Sequence, residues 1–269
     1  TVKRGLLRSW PLLLAILAFS LRLLGTFLVR SGVLVSVHSF AADPERGMFI
    51  LAFLVMMIGG ALALYSWRAP LLKSPAGFEP TAREAFLLYN NMVLVLAALV
   101  VLVGTVAPLI NDALGLPPIS VGEGWFRRTF PYLALALMAL VSVGIHAAWK
   151  RGNLGANQRR LLIGLGVAVV LGLGLTLGAY GSGAWLSVLG VMLGAWVIIS
   201  SLFDPIDRWR RKLTLSRAVL GMTLAHMAIG VCVIAVSTVE AYTVERDVPL
   251  GPGESVVLGR YAYRFDKLE

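Results

Sequence analysis

The chain is poor in the residues that usually carry chemistry: one cysteine, three histidines, and charged side chains at only 14% of 269 positions. A lone Cys232 excludes an internal disulfide and leaves the redox compartment unread. Set within an apolar run, it reads as a small packing residue. There is no CxxC, no HExxH, no carboxylate pair and no nucleophile beside a base, so no catalytic constellation of those kinds is encoded. What is abundant instead is apolar surface: 58% of residues are hydrophobic, more than one soluble core could hide. The expected class is an all-α polytopic membrane protein.

Seven runs have the length and apolarity to cross a bilayer, at 11–29, 48–67, 88–110, 130–148, 161–179, 184–202 and 218–238. Lipid cannot satisfy bare backbone, so each must be helical. The first is too long for a cleavable signal peptide and lacks a small-residue cleavage site before Arg30. The net charge of +10 does not form one patch and so does not indicate nucleic acid; it alternates between connections. Lys3, Arg4 and Arg8, then Arg68, Lys73 and Arg83, then Lys150, Arg151, Arg159 and Arg160, then Arg208, Arg210, Arg211, Lys212 and Arg217 flank one set of helix ends. The positive-inside rule places those ends in the cytoplasm, with the loop carrying His38 and the tail after Thr238 outside.

Residues 1–238 are therefore read as a helical bundle bathed in membrane lipid. The fifth run carries Gly164, Gly166, Gly172, Gly174 and Gly178, a density that permits close helix contact; its GLG follows no strand and is not a nucleotide fingerprint. In the outer loop 111–129, GLPPISVGEGW reads as an interfacial anchor with Trp125 and Phe126 in the aromatic belt. Past Thr238 a Pro-Gly turn precedes alternation through Val256, Leu258, Tyr261 and Tyr263, so 239–269 reads as the start of an extracytoplasmic β-rich domain.

The three histidines differ in setting. His38 lies about nine residues past the first run, in a loop whose Asp43, Glu45 and Arg46 mark the water boundary; by itself it is an ordinary interfacial histidine or a metal ligand. His226 lies inside the seventh run, roughly 12 Å from its inner end at helical rise. Two readings stand for it: a neutral imidazole bonded within the bundle, or an axial heme ligand with Gly221 and Ala225 making room. His146 is close to Trp149 and the basic loop and reads as a snorkelling interfacial side chain. It sits roughly 8 Å below His226 by the same rise, so the two are poor partners for one heme, and any second ligand would come from elsewhere. Arg22 is the one charge inside the first run and must snorkel or pair. Asn90 and Asn91 read as a polar start to the third run.

Five segments carry a resemblance: GLLRSWPLLLAILAFSLRLLGTFLVRSGVLVSVHSFAADPERG at 5–47, REAFLLYNN at 83–91, GTVAPL at 104–109, PISVG at 118–122 and GMTLAHMAIGV at 221–231. In that order they resemble the heme-handling membrane protein family, and within it the heme lyase subunit of bacterial System I cytochrome c maturation. The resemblance implies attachment of heme vinyl groups to the CXXCH thiols of apocytochrome c outside the inner (cytoplasmic) membrane. It makes His38 an outer axial ligand to the substrate heme and His226 a ligand to a resident heme b. It implies the heme chaperone CcmE, the thiol-handling subunits CcmH and CcmI, and apocytochrome c as partners. The family's tryptophan-rich WWD segment and its other two ligand histidines have no match here, and Arg22 replaces a usually small or polar residue, so the chain reads as part of a longer or split subunit. The alternatives are a paralogous lyase subunit serving a CXXCK site of nitrite reductase type, a permease with His226 in its path, and a scaffold whose histidines are dispensable.

Overall fold

The computed structural model describes residues 7–33, 43–72, 77–150, 152, 154–180, 185–259 and 261–267. Among them seven long helices carry the apolar runs: α1 Ser9–Arg30, α2 Pro44–Arg68, α3 Arg83–Ala113, α4 Glu123–Gly144, α5 Gly155–Tyr180, α6 Trp185–Arg210 and α7 Arg217–Tyr242. The shortest has 22 residues, about 33 Å at helical rise and enough for a hydrocarbon core of about 30 Å. The protein is a multi-pass, all-α membrane protein with a small C-terminal sheet.

Most helices extend past the apolar runs, and two of them begin at a polar cap. Asp43 accepts the Arg46 N–H (3.2 Å) ahead of Pro44 in α2, and Ser216 accepts the Val219 N–H (3.3 Å) ahead of α7; both satisfy donors a helix start leaves open. The fourth helix differs at both ends, beginning at Glu123 and stopping at Gly144. There the bonds tighten to i→i+3, His146 N–H to Val143 O (3.1 Å) and Ala147 N–H to Gly144 O (3.2 Å), so His146 sits in a turn rather than a helix.

The chain divides into two compact units, Thr1–Phe130 with Ala148–Gly152, and Pro131–Ala147 with Asn153–Glu269. In the first unit α2 returns against the end of α1: Asp43 N–H donates to Arg30 O (2.7 Å), and a Cβ at Gly47 would lie 2.8 Å from Ser31 Cα. The start of α3 is tied to residues 148–150 by Arg83 N–H to Ala148 O (2.8 Å) and Glu79 N–H to Lys150 O (3.1 Å). Trp125 closes over Gly104, where a Cβ would meet its ring at 2.7 Å.

In the second unit α6 is the central helix, packed on α5 along one side and α7 along another. Ala168, Ala195 and Trp196 form its core with Val143, Leu165 and Ile234 against them. Of the five glycines in the apolar part of α5, Gly164 and Gly172 meet Phe203 and Met192 of α6, while Gly166, Gly174 and Gly178 border open space. With the buried Ala168 and Thr176 they form one ridge at spacing four, which is the face that approaches α6. The α6–α7 contact is tighter: a Cβ at Gly194 would lie 2.8 Å from Gly230 O and one at Gly230 would lie 2.7 Å from Gly194 O. Ser187 Oγ donates to Ser237 O across the same seam (2.5 Å).

The C-terminal hairpin pairs β1 Ser255–Leu258 antiparallel with β2 Tyr261–Arg264, Val256 opposite Tyr263. Its closing turn begins at Gly259 (φ +61°). The Pro-Gly pair lies earlier, where Gly253 N–H donates to Phe265 O (2.7 Å) and lengthens the hairpin base.

Candidate functional site

His226 is carried by α7 between the Ser216 cap and the glycine crossing at Gly230. Helical geometry sets it about 60° around the helix axis from the Thr223–Gly230 line that faces α6, at the margin between packed and open surface. The imidazole is half-buried. Its Nδ1 lies 2.7 Å from Met222 O, one turn back. A carbonyl oxygen can only accept, so Nδ1 carries the proton and the Nε2 lone pair is left available. Among the described residues nothing bonds Nε2.

That arrangement suits a metal ligand. Metal-bound histidines characteristically donate their other ring N–H to a carbonyl or carboxylate, which fixes tautomer and ring plane. The helix surface beside His226 is open: a Cβ at Gly221 would have no neighbour within 4 Å, and Ala225 is exposed. The residues present therefore fit a heme, which Nε2 of His226 would hold. No group of three or more His, Cys, Asp or Glu side chains able to hold a bare metal ion occurs among the described residues.

The expectation for His146 is corrected. Its ring lies 5.7 Å from that of Phe203 on α6, with Nε2 shielded from solvent, so the side chain turns inward instead of snorkelling. Its backbone carbonyl accepts Asn157 Nδ2–H (3.1 Å), which fastens the turn between α4 and α5. His38 lies outside the described residues, as do Lys3, Arg4, Lys73 and Arg151. Arg22 is exposed on α1 without an ion-pair partner among the described residues, its carbonyl accepting Thr26 Oγ1–H (3.0 Å). Asn90 and Asn91 do not open a helix: α3 starts at Arg83, placing them two turns in, and Asn90 Oδ1 is buried without a bond among the described residues.

Glu84 is the residue that periodicity misses. It is fully buried at the start of α3, and its Oε2 accepts Lys150 N–H (2.9 Å), fixing a backbone position of φ +65°. Beside it the Arg83 guanidinium lies over the Trp149 ring at 5.4 Å. A helix-start glutamate reads as an N-terminal dipole partner; a contact across 66 residues leaves no sequence signal.

No family model and no solved structure matches the chain. Curated proteins do. The cytochrome c-type biogenesis protein CcmF of Pseudomonas aeruginosa is 45% identical over 277 residues, covering 99% of this chain and 41% of that protein. The protein of the same name in Escherichia coli K12 is 41% identical, covering 98% of this chain and again 41% of its own length. In the same bacterium the probable cytochrome c-type biogenesis protein NrfE is 37% identical over only 63% of this chain. The chain thus spans about two fifths of the length of the CcmF proteins it matches. Matched over nearly its whole length, and further than to the paralogue, the chain belongs to the CcmF-type family of cytochrome c-type biogenesis proteins.

Proposed function

We propose that this chain is part of a cytochrome c heme lyase of the bacterial inner membrane. The reaction adds each thiol S–H of a CXXCH motif across a heme vinyl group: an S–C bond forms, the proton goes to the other vinyl carbon, and nothing leaves. What carries the reading is the similarity to CcmF over 98–99% of the chain. What supports its heme component is the Nδ1–H of His226 held by Met222 O, with Nε2 left to bind iron.

In this reading Nε2 of His226 would hold a resident heme b, and α7 would keep it in place because the Gly194–Gly230 crossing locks the helix to α6. When bound, that heme would supply one-electron chemistry. His38 holds the substrate heme from one face, and catalysis there is chiefly positioning of the vinyls against the thiols. The basic helix ends face the cytoplasm, and the His38 loop and hairpin face the periplasm. CcmE delivers heme, and CcmH and CcmI present the reduced apocytochrome.

The test is the reduced absorption spectrum of the family-length protein in detergent, with and without His226→Ala. A b-type spectrum lost or shifted in the variant supports the reading; a correctly folded protein with no heme returns it to a permease or scaffold. Heme attachment scored on CXXCH and CXXCK substrates then separates this lyase from its nitrite-reductase-type paralogue.

A further inference from the structure

A groove of about 320 Å³ opens on the second unit where the turn after α4 meets the start of α5 and the flank of α6. Val143, Leu154, Leu161, Leu165 and Trp196 line it, and Gln158 is its one polar side chain. Leu161, Leu162 and Leu165 rise from it along α5 into the part of the helix that crosses the hydrocarbon. The groove therefore starts at the membrane surface and runs inward, the geometry of a phospholipid with its head at the edge and a chain along the helices.

Basic side chains follow directly on from it in the chain. Arg160 is paired with Asp207 (2.6 Å) and Arg208 with Asp204 (3.1 Å), and the first pair fastens the start of α5 to the end of α6. That leaves Arg159, Arg210, Arg211 and Lys212 exposed at this end, with no ion-pair partner among the described residues. Arg159 is next to Gln158 and one turn before Leu162, both at the groove. The first turn of α5 contains no acidic residue, so its open N–H groups add to the positive field rather than being neutralised.

We propose that this groove is a binding site for one anionic phospholipid of the leaflet on the basic side, its phosphate at Arg159 and the start of α5, and an acyl chain against Leu161, Leu165 and Trp196. An apolar slot alone would take any lipid chain; the uncompensated charge at its mouth selects a net-negative headgroup over a zwitterionic one. The inference is independent of the heme reading, because it uses neither His226 nor any heme.

Trp196 supplies the readout, since it forms the groove wall and bromine on a lipid chain quenches indole at contact. The full chain is reconstituted in vesicles of phosphatidylcholine and phosphatidylglycerol, with brominated chains placed on one lipid or the other at equal mole fraction. Emission from Trp196 is the difference between the wild type and W196F; Trp196 Nε1 has no hydrogen bond to lose. The expected result is quenching about fivefold more effective from brominated phosphatidylglycerol, from about 1 kcal/mol per basic residue near a surface, with that preference lost in Arg159→Gln and at high salt. Equal quenching by the two lipids, or a preference that survives Arg159→Gln, overturns the proposal. Should W196F lower the folded yield, phosphatidylglycerol retained after delipidation, counted by mass spectrometry in wild type against Arg159→Gln, gives the same decision.

Discussion

At the residue scale the decisive geometry is one hydrogen bond. In lipid a histidine must place its ring N–H somewhere, and Met222 O one turn back takes it at 2.7 Å. The same bond serves a merely satisfied imidazole and a ligand; only the fate of Nε2 separates them. If Nε2 binds iron, His226→Ala in the family-length protein lowers heme b content by about tenfold or more, added imidazole restores part of the spectrum, and His146→Ala leaves it unchanged, since His146 packs on Phe203. The pyridine hemochrome content of the three purified proteins checks this. Glu84 makes a different prediction. Its carboxylate is the acceptor for Lys150 N–H in a site closed to solvent, so Glu84→Ala leaves a donor without a partner and costs about 1–3 kcal/mol. Glu84→Gln keeps a carbonyl oxygen in place and recovers most of that loss, as thermal unfolding in detergent would show.

At the element scale the second unit is organised by how closely its helices approach. Backbone oxygens of Gly194 and Gly230 occupy the space a side chain would need on the opposite helix. Gly194→Val therefore forces α6 and α7 apart and costs about 1–3 kcal/mol, whereas Gly174→Val on α5, with open space beside it, has a far smaller effect. Comparing the two melting temperatures tests the seam directly. The contrast also marks what was legible in the sequence. The apolar runs announced seven helices, because hydropathy and backbone satisfaction leave no other structure for them. The glycine density of α5 announced close packing, but not that Gly164 and Gly172 are the ones to face α6 while Gly166, Gly174 and Gly178 do not, since that follows from the ridge they share with Ala168 and Thr176. His226 was legible as an ionisable group within an apolar span. The inward turn of His146 was not, because it depends on α4 stopping at Gly144 and on Phe203 from a helix distant in sequence. The Glu84–Lys150 link lay beyond reach for the same reason.

At the scale of the whole molecule, charge and exposed apolar surface bear on the same question, which side of a membrane each connection occupies. Large hydrophobic side chains lie exposed along the helices, among them Phe49, Val170, Leu177, Leu224 and Val239, as expected of surfaces that lipid covers. The net charge of +10 is held mostly at alternate helix ends. On the positive-inside rule, with Cys232→Ser as background, a cysteine at Ser120 reacts with a membrane-impermeant maleimide in intact spheroplasts, and one at Thr214 reacts only after permeabilisation. Both positions are exposed and outside the helices, so neither burial nor a disturbed span would account for silence. The opposite labelling would carry the His38 loop and the hairpin into the cytoplasm. Thioether formation on an exported apocytochrome would then have its positioning histidine on the wrong side of the barrier, and the lyase reading would fail whatever heme His226 binds.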